Sequence, residues 1–91
     1  MTKYLMVAVE FANGVPCPHA GHYLKKFDHE YDNGVGFGVF TPYRRRAKRF
    51  DTQEELFAFW KRQSKRRPWR ADGQPNRPMT ALTVTIEPVE E

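Results

Sequence analysis

The sequence predicts an α+β fold: a small antiparallel sheet of about four strands in β-β-β-α-β order, with one helix packed on one face. Three observations predict it. Apolar residues alternate with period two in the opening segment KYLMVAVEF and in the closing segment MTALTVTIE. An Asn-Gly pair lies between two further extended runs. One stretch only, FDTQEELFAFWKRQ, places apolar residues at helical spacing between a capping signal and a run of helix breakers.

Taken in order, the first strand alternates Leu5, Val7, Val9 and Phe11 against Tyr4, Met6, Ala8 and Glu10. ANGVPCPHAG follows, and its two prolines and two glycines make it a loop. HYLKKFDHEY is a second strand and VGFGVFT its returning partner. Asn33-Gly34 between them suits a two-residue I′ turn, in which both central residues need positive φ. That register sets Tyr31 opposite Gly36, His29 opposite Gly38 and Phe27 opposite Phe40, with Tyr23 on the same face. Lys26, Asp28, Glu30 and Asp32 then share the other face with Val35, Phe37 and Val39. The charged row marks this second face as solvated, leaving the three apolar residues exposed to a protein partner or a second copy of the chain, as in a homodimer.

The helix is capped by Thr52, with Glu55 completing a capping box. Leu56, Phe59, Trp60 and Gln63 share one face, at spacings of three, four and seven residues. These side chains are expected to meet Leu5, Val7 and Val9 from the first strand and Leu82, Val84 and Ile86 from the last. The opposite sheet face is expected to be open to solvent or to a partner. After Arg67 the chain cannot stay helical, because Pro68, Gly73, Pro75 and Pro78 intervene. Residues 67–78 are therefore a long Pro/Gly loop, residues 88–91 an acidic tail, and 1–91 a single domain.

VGFGVF, with FDTQEEL after it, resembles part of the RNA-recognition motif, whose octapeptide carries glycines between stacking aromatics. Gly36, Phe37 and Gly38 match that pattern. Val35, Val39 and Pro42 depart from its basic and aromatic positions, and residues 12–21 leave no room for the family's first helix. The strand is accordingly read as glycines making room for facing aromatics.

With 91 residues, the chain buries only about 60–65% of its unfolded surface, so one modest core is expected. One cysteine rules out an internal disulfide framework. No run approaches the roughly 18 apolar residues of a membrane span. The opening segment alternates and carries Glu10, which reads as a strand and not as a signal peptide. A cytoplasmic protein without membrane association is the expectation.

Cys17, His19, His22 and His29 lie within fifteen residues. His22 and His29 are seven positions apart on one predicted strand, roughly 23 Å, and on opposite faces. Cys17, His19 and His22 share a loop, but zinc sites draw four ligands from two separated pairs, and no second pair exists. Neither a metal, a cofactor nor a cysteine nucleophile is expected. No paired acids, nucleophile-base set or phosphate loop suggests an enzyme.

The charge is the strongest functional signal. Residues 44–70 hold eleven of the fifteen Lys and Arg and three of the eleven acids, a net +8. The remaining four bases and eight acids give −4. Arginine dominates the block (Arg44, Arg45, Arg46, Arg49, Arg62, Arg66, Arg67, Arg70, with Lys48, Lys61 and Lys65), and Tyr43 and Trp69 are interleaved. Guanidinium forks suit phosphates, and an exposed Trp suits base stacking. The leading expectation is a small binding protein that takes nucleic acid or a nucleoprotein complex on this block. An acidic protein surface is the alternative partner, bound by an inhibitor or adaptor of the kind common in phages and mobile elements. A solubilising face with no ligand is the third reading.

Stability should not depend on a metal. A strong chelator is expected to leave the melting temperature unchanged, and stoichiometric zinc in the purified protein would overturn that expectation.

Overall fold

The computed structural model describes residues 1–91. Four antiparallel strands, β1 (Thr2–Phe11), β2 (Tyr23–Asp28), β3 (Phe37–Thr41) and β4 (Leu82–Glu90), form one sheet in the order β3-β2-β1-β4. One main helix, Gln53–Trp60, packs against it, so the expected α+β architecture holds. None of its helices is long and apolar enough to cross a membrane.

The core is a cluster of Met6, Leu24, Phe50, Leu56 and Met79, flanked by Tyr4, Phe27, Phe40, Phe59, Trp60, Val84 and Ile86. Each fully buried side chain contributes about 1.5–3 kcal/mol relative to exposure. β4 presents Val84 and Ile86 to this core as expected, and Leu82 on the same face is buried, since Thr83, Thr85 and Glu87 alternate with them. β1, however, shows the core its other face. Met6 pairs with Ile86 and Ala8 with Val84, so Tyr4, Met6 and Ala8 face the helix in place of Leu5, Val7 and Val9. Both faces of β1 are apolar, and Leu5 and Met6 are both 0% exposed, so alternation within the strand could not choose between them. The polar face of β4 makes the choice through register.

The second sheet face is consequently not open throughout. Leu5 lies opposite Glu87, which accepts a hydrogen bond from Arg44 at 3.0 Å. Arg44 belongs to the short turn Arg44–Arg46 that follows β3. Beyond that turn, Phe50 pairs with Tyr4 through two backbone hydrogen bonds, and the Lys48 N–H donates to Leu24 O. Residues 88–90, expected as a tail, continue β4 and pair with Tyr4, Lys3 and Thr2 of β1.

The β2–β3 connection differs most from expectation. Phe27 lies opposite Gly38 and Asp28 opposite Phe37, two residues out of the expected register, with a bulge at Lys25. Asn33-Gly34 is therefore not a two-residue hairpin turn. It belongs to an eight-residue connection containing a single helical turn, Tyr31–Gly34, in which Asp32 and Asn33 have φ of 51° and 56°. The dipeptide's tolerance of positive φ is used, but inside a larger loop. Tyr31 and His29 leave the strand pairing, and Glu30 and Asp32 leave the predicted charged row. The glycine expectation holds at Gly38, where a Cβ would come within 2.8 Å of the Phe40 ring and 3.0 Å of Phe27.

The helix is shorter than its sequence signature. Thr52 Oγ1 accepts from the Glu55 N–H at 3.1 Å, and the Glu55 carboxylate reaches back to the Asp51 N–H, one residue beyond a standard capping box. It ends at Trp60, whose indole N–H donates to Leu82 O at 3.1 Å and ties the helix to β4.

Gly34 generates the test of this loop. Its φ is +90°, and a Cβ there would lie 2.8 Å from both Asn76 Nδ2 and Ser64 Oγ. Gly73 has a similar φ of +85° with open space around it. Gly34→Ala is expected to cost at least about 2 kcal/mol, against about 1 kcal/mol for Gly73→Ala, where only backbone strain acts. Equal losses in denaturant unfolding would show that the packing at Gly34 contributes nothing.

Candidate nucleic-acid interface

The basic block folds into two groups that meet at Phe59. In the first, Arg44 pairs with Glu87, and Arg49 pairs with Glu91 and donates to the carbonyls of Arg44 and Ala47. The Arg45 and Arg46 guanidiniums lie 5.6 and 5.5 Å from the exposed Tyr43 ring, within cation–π range. The second group follows the helix: Lys61, Arg62, Lys65, Arg66, Arg67 and Arg70, all exposed. Lys48 Nζ and the Arg62 guanidinium approach the Phe59 ring at 5.3 and 5.0 Å, which joins the groups.

Of the eleven cations, only Arg44, Arg49 and Arg70 form ion pairs, the last with Asp72 at 2.8 Å. The side-chain cations of Arg45, Arg46, Lys48, Lys61, Arg62, Lys65, Arg66 and Arg67 form no ion pair. Exposed pairs are individually weak, so the three that exist orient their arginines more than they stabilise the fold.

The loop expected over residues 67–78 is stitched to itself. Ser64 N donates to Asn76 O at 2.8 Å, and Asn76 N to Pro68 O at 2.9 Å. Trp69 bridges to Pro75, leaving Trp69 59% exposed near the loop tip. Asn76 Nδ2 donates both to Arg67 O and to Gly34 O, at 2.9 and 2.8 Å, which binds this loop to the β2–β3 connection.

Glu30 makes the second tie. Its carboxylate accepts from the Lys65 N–H at 2.8 Å, the Ser64 hydroxyl at 2.6 Å and the Arg66 N–H at 2.9 Å. These donors, the Lys65 amide foremost, then Ser64 and Arg66, hold its pKa down at about 2. Sequence reasoning set Glu30 beside Asp28 and Asp32 in a solvated charged row. The structure instead turns it into the basic loop, where it orders the backbone beneath Lys65 and Arg66.

The expected protein-interaction residues are divided. Phe37 and Val39 line a shallow groove of about 300 Å³ with Tyr31, Phe27, Lys26 and Asp28, and the Tyr31 and Phe37 rings lie 5.1 Å apart. Val35 is exposed too but lines a separate groove beside Arg67, Arg70 and Arg77. Arg77, outside the predicted block, and Asn76 are the residues that sequence reading missed. Their only signal was membership of an unusually long loop.

The histidines serve packing. His29, expected to pack over Gly38, is buried between Phe27 and Phe59, and its Nε2–H donates to Phe59 O at 3.0 Å. Burial lowers its pKa, opposed by that carbonyl. His19 stacks on Phe40 with ring centres 5.0 Å apart, and Cys17 is buried, its sulfur accepting from the His19 N–H at 3.4 Å. No family model, no curated protein and no solved structure matches this chain.

Glu30 makes stability depend on pH. Its folded pKa of about 2 lies below the ordinary 4.5, so its contribution is complete above pH 4.5 and disappears as pH falls toward 2. Glu30→Gln is expected to flatten the acid limb of the unfolding midpoint across that window. An unchanged acid limb would show that the carboxylate does not hold the loop.

Proposed function

We propose that this protein is a non-catalytic cytoplasmic binding module that takes nucleic acid, free or within a nucleoprotein complex, on its 44–70 basic surface. The observation that carries this reading is the eight side-chain cations of the block that form no ion pair, gathered on a chain of net charge +4. Phosphates would neutralise them and release condensed counterions, which is the main driving force of such binding. Tyr43 beside Arg45 and Arg46, and Trp69 on its loop, add aromatic surfaces where unpaired bases can stack.

A second reading rests on the exposed Tyr31–Phe37 pair beside β3, which is an edge strand with unpaired backbone groups. An edge with an apolar flank favours a protein partner or a second copy of the chain. Under that reading the protein is an inhibitor or adaptor, and the basic surface steers it toward an acidic partner.

Titration against labelled single- and double-stranded nucleic acid separates the two. Affinity is expected to fall about tenfold or more between 50 and 200 mM salt. Joint Arg45→Ala and Arg46→Ala substitution should flatten that salt dependence. Trp69→Ala should cost single-strand binding about 1–3 kcal/mol and duplex binding less. Asp28→Ala should leave binding unchanged. If no salt-sensitive affinity is seen for any nucleic acid, the protein-partner reading takes its place.

A further inference from the structure

The arginine groove lies where separate segments of the chain converge, with Ala12 after β1 at its margin. The turn Pro78–Ala81, the β2–β3 connection and the stitched loop enclose about 420 Å³. Arg67, Arg70 and Arg77 supply its charge, while Val35, Pro78 and Ala81 supply apolar wall. Against three guanidiniums there is one carboxylate close by, Asp72, which pairs with Arg70. Glu30 is turned away, its oxygens occupied by Ser64, Lys65 and Arg66. Arg67 and Arg77 therefore remain without a counter-charge.

The walls are fixed before any ligand arrives. Asn76, part of the lining, clamps Gly34 O to Arg67 O through its two amide hydrogens. At Gly36 a Cβ would come within 2.6 Å of Pro78, so the β2–β3 connection sits tightly against the groove's floor. A preformed, partly apolar concavity with convergent cations suits a compact anion bearing a flat apolar ring. A nucleotide has that chemistry: guanidinium forks match its phosphate, and Val35 and Pro78 offer a surface for its base. A duplex presents a convex backbone with its bases stacked inside, so only an unstacked nucleotide enters a concave site of this size. Trp69 adjoins Arg70 on the same loop and is exposed.

We propose that the groove between Val35, Arg67 and Arg77 is a nucleotide pocket that gives this surface its preference for single strands. The proposal rests on the nucleic-acid reading and extends it beyond the 44–70 block to Arg77.

The test uses the full chain and a fluorescein-labelled oligothymidylate of about 12 nucleotides, with a duplex of equal length alongside. Arg77→Glu is expected to weaken single-strand binding about tenfold or more and duplex binding less than about threefold. Amide NMR signals of Gly34, Val35, Arg77 and Thr80 should shift as unlabelled strand is added. Equal losses for strand and duplex, or still amides at Gly34 and Val35, would overturn the pocket. The broader reading would survive that result if the Arg45→Ala and Arg46→Ala variant and added salt still weakened binding. Displacement of the strand by millimolar thymidine monophosphate would make a free nucleotide the occupant and overturn the strand assignment. A wild-type chain that binds neither strand nor duplex would overturn pocket and reading together.

Discussion

Glu30 follows closely on the end of β2 and reaches 34 residues along the chain, where it gathers Ser64, Lys65 and Arg66 onto one carboxylate. Much of the remaining architecture depends on that tie. The helix ends before Lys61, and the residues that follow, Ser64 to Arg66, are held on this carboxylate. It gives the β2–β3 connection a partner, so this connection folds as an eight-residue loop and not as a minimal hairpin. It also sets two like charges, Lys65 and Arg66, side by side over one compensating group. That arrangement costs repulsion among the cations, which the carboxylate offsets only in part. A basic loop held this way is ordered without being neutralised, the condition under which an external anion gains most from binding.

Asn76 and Gly34 complete the same junction. A side-chain amide with both hydrogens committed to carbonyls from two loops works as a rivet, and it closes only because Gly34 has no side chain to keep the loops apart. The groove lined by Arg67, Arg70 and Arg77 is a by-product of that closure. Its charge and its shape thus have separate origins, charge from composition and shape from a contact between segments distant in sequence.

Local rules sufficed where one residue or one periodicity decided the outcome. The strand character of both ends, the Thr52 cap, the helical face of Leu56, Phe59 and Trp60, and the inward set of β4 were legible because polar and apolar positions alternate cleanly there. β1 failed the same rule because Leu5 and Met6 are both buried, on opposite faces, so period two carries no direction. The hairpin failed because a strong local turn signal at Asn33-Gly34 competed with longer-range partners, and the partners prevailed. Within the candidate site, every cation of the basic block could be found by composition, whereas Arg77 and the roles of Asn76 and Glu30 could not.

The sequence by itself determined the element order, the helix and its cap, the size of the core and the concentration of positive charge, since each follows from neighbouring residues. Only the tertiary structure decided which face of β1 is inside, where β2 turns back, which cations remain unpaired and where they surround a concavity. Those outcomes are set by strand register and by hydrogen bonds between segments some 30 to 45 residues apart. At such separations local preference is weak, and the satisfaction of a buried or half-buried polar group dominates.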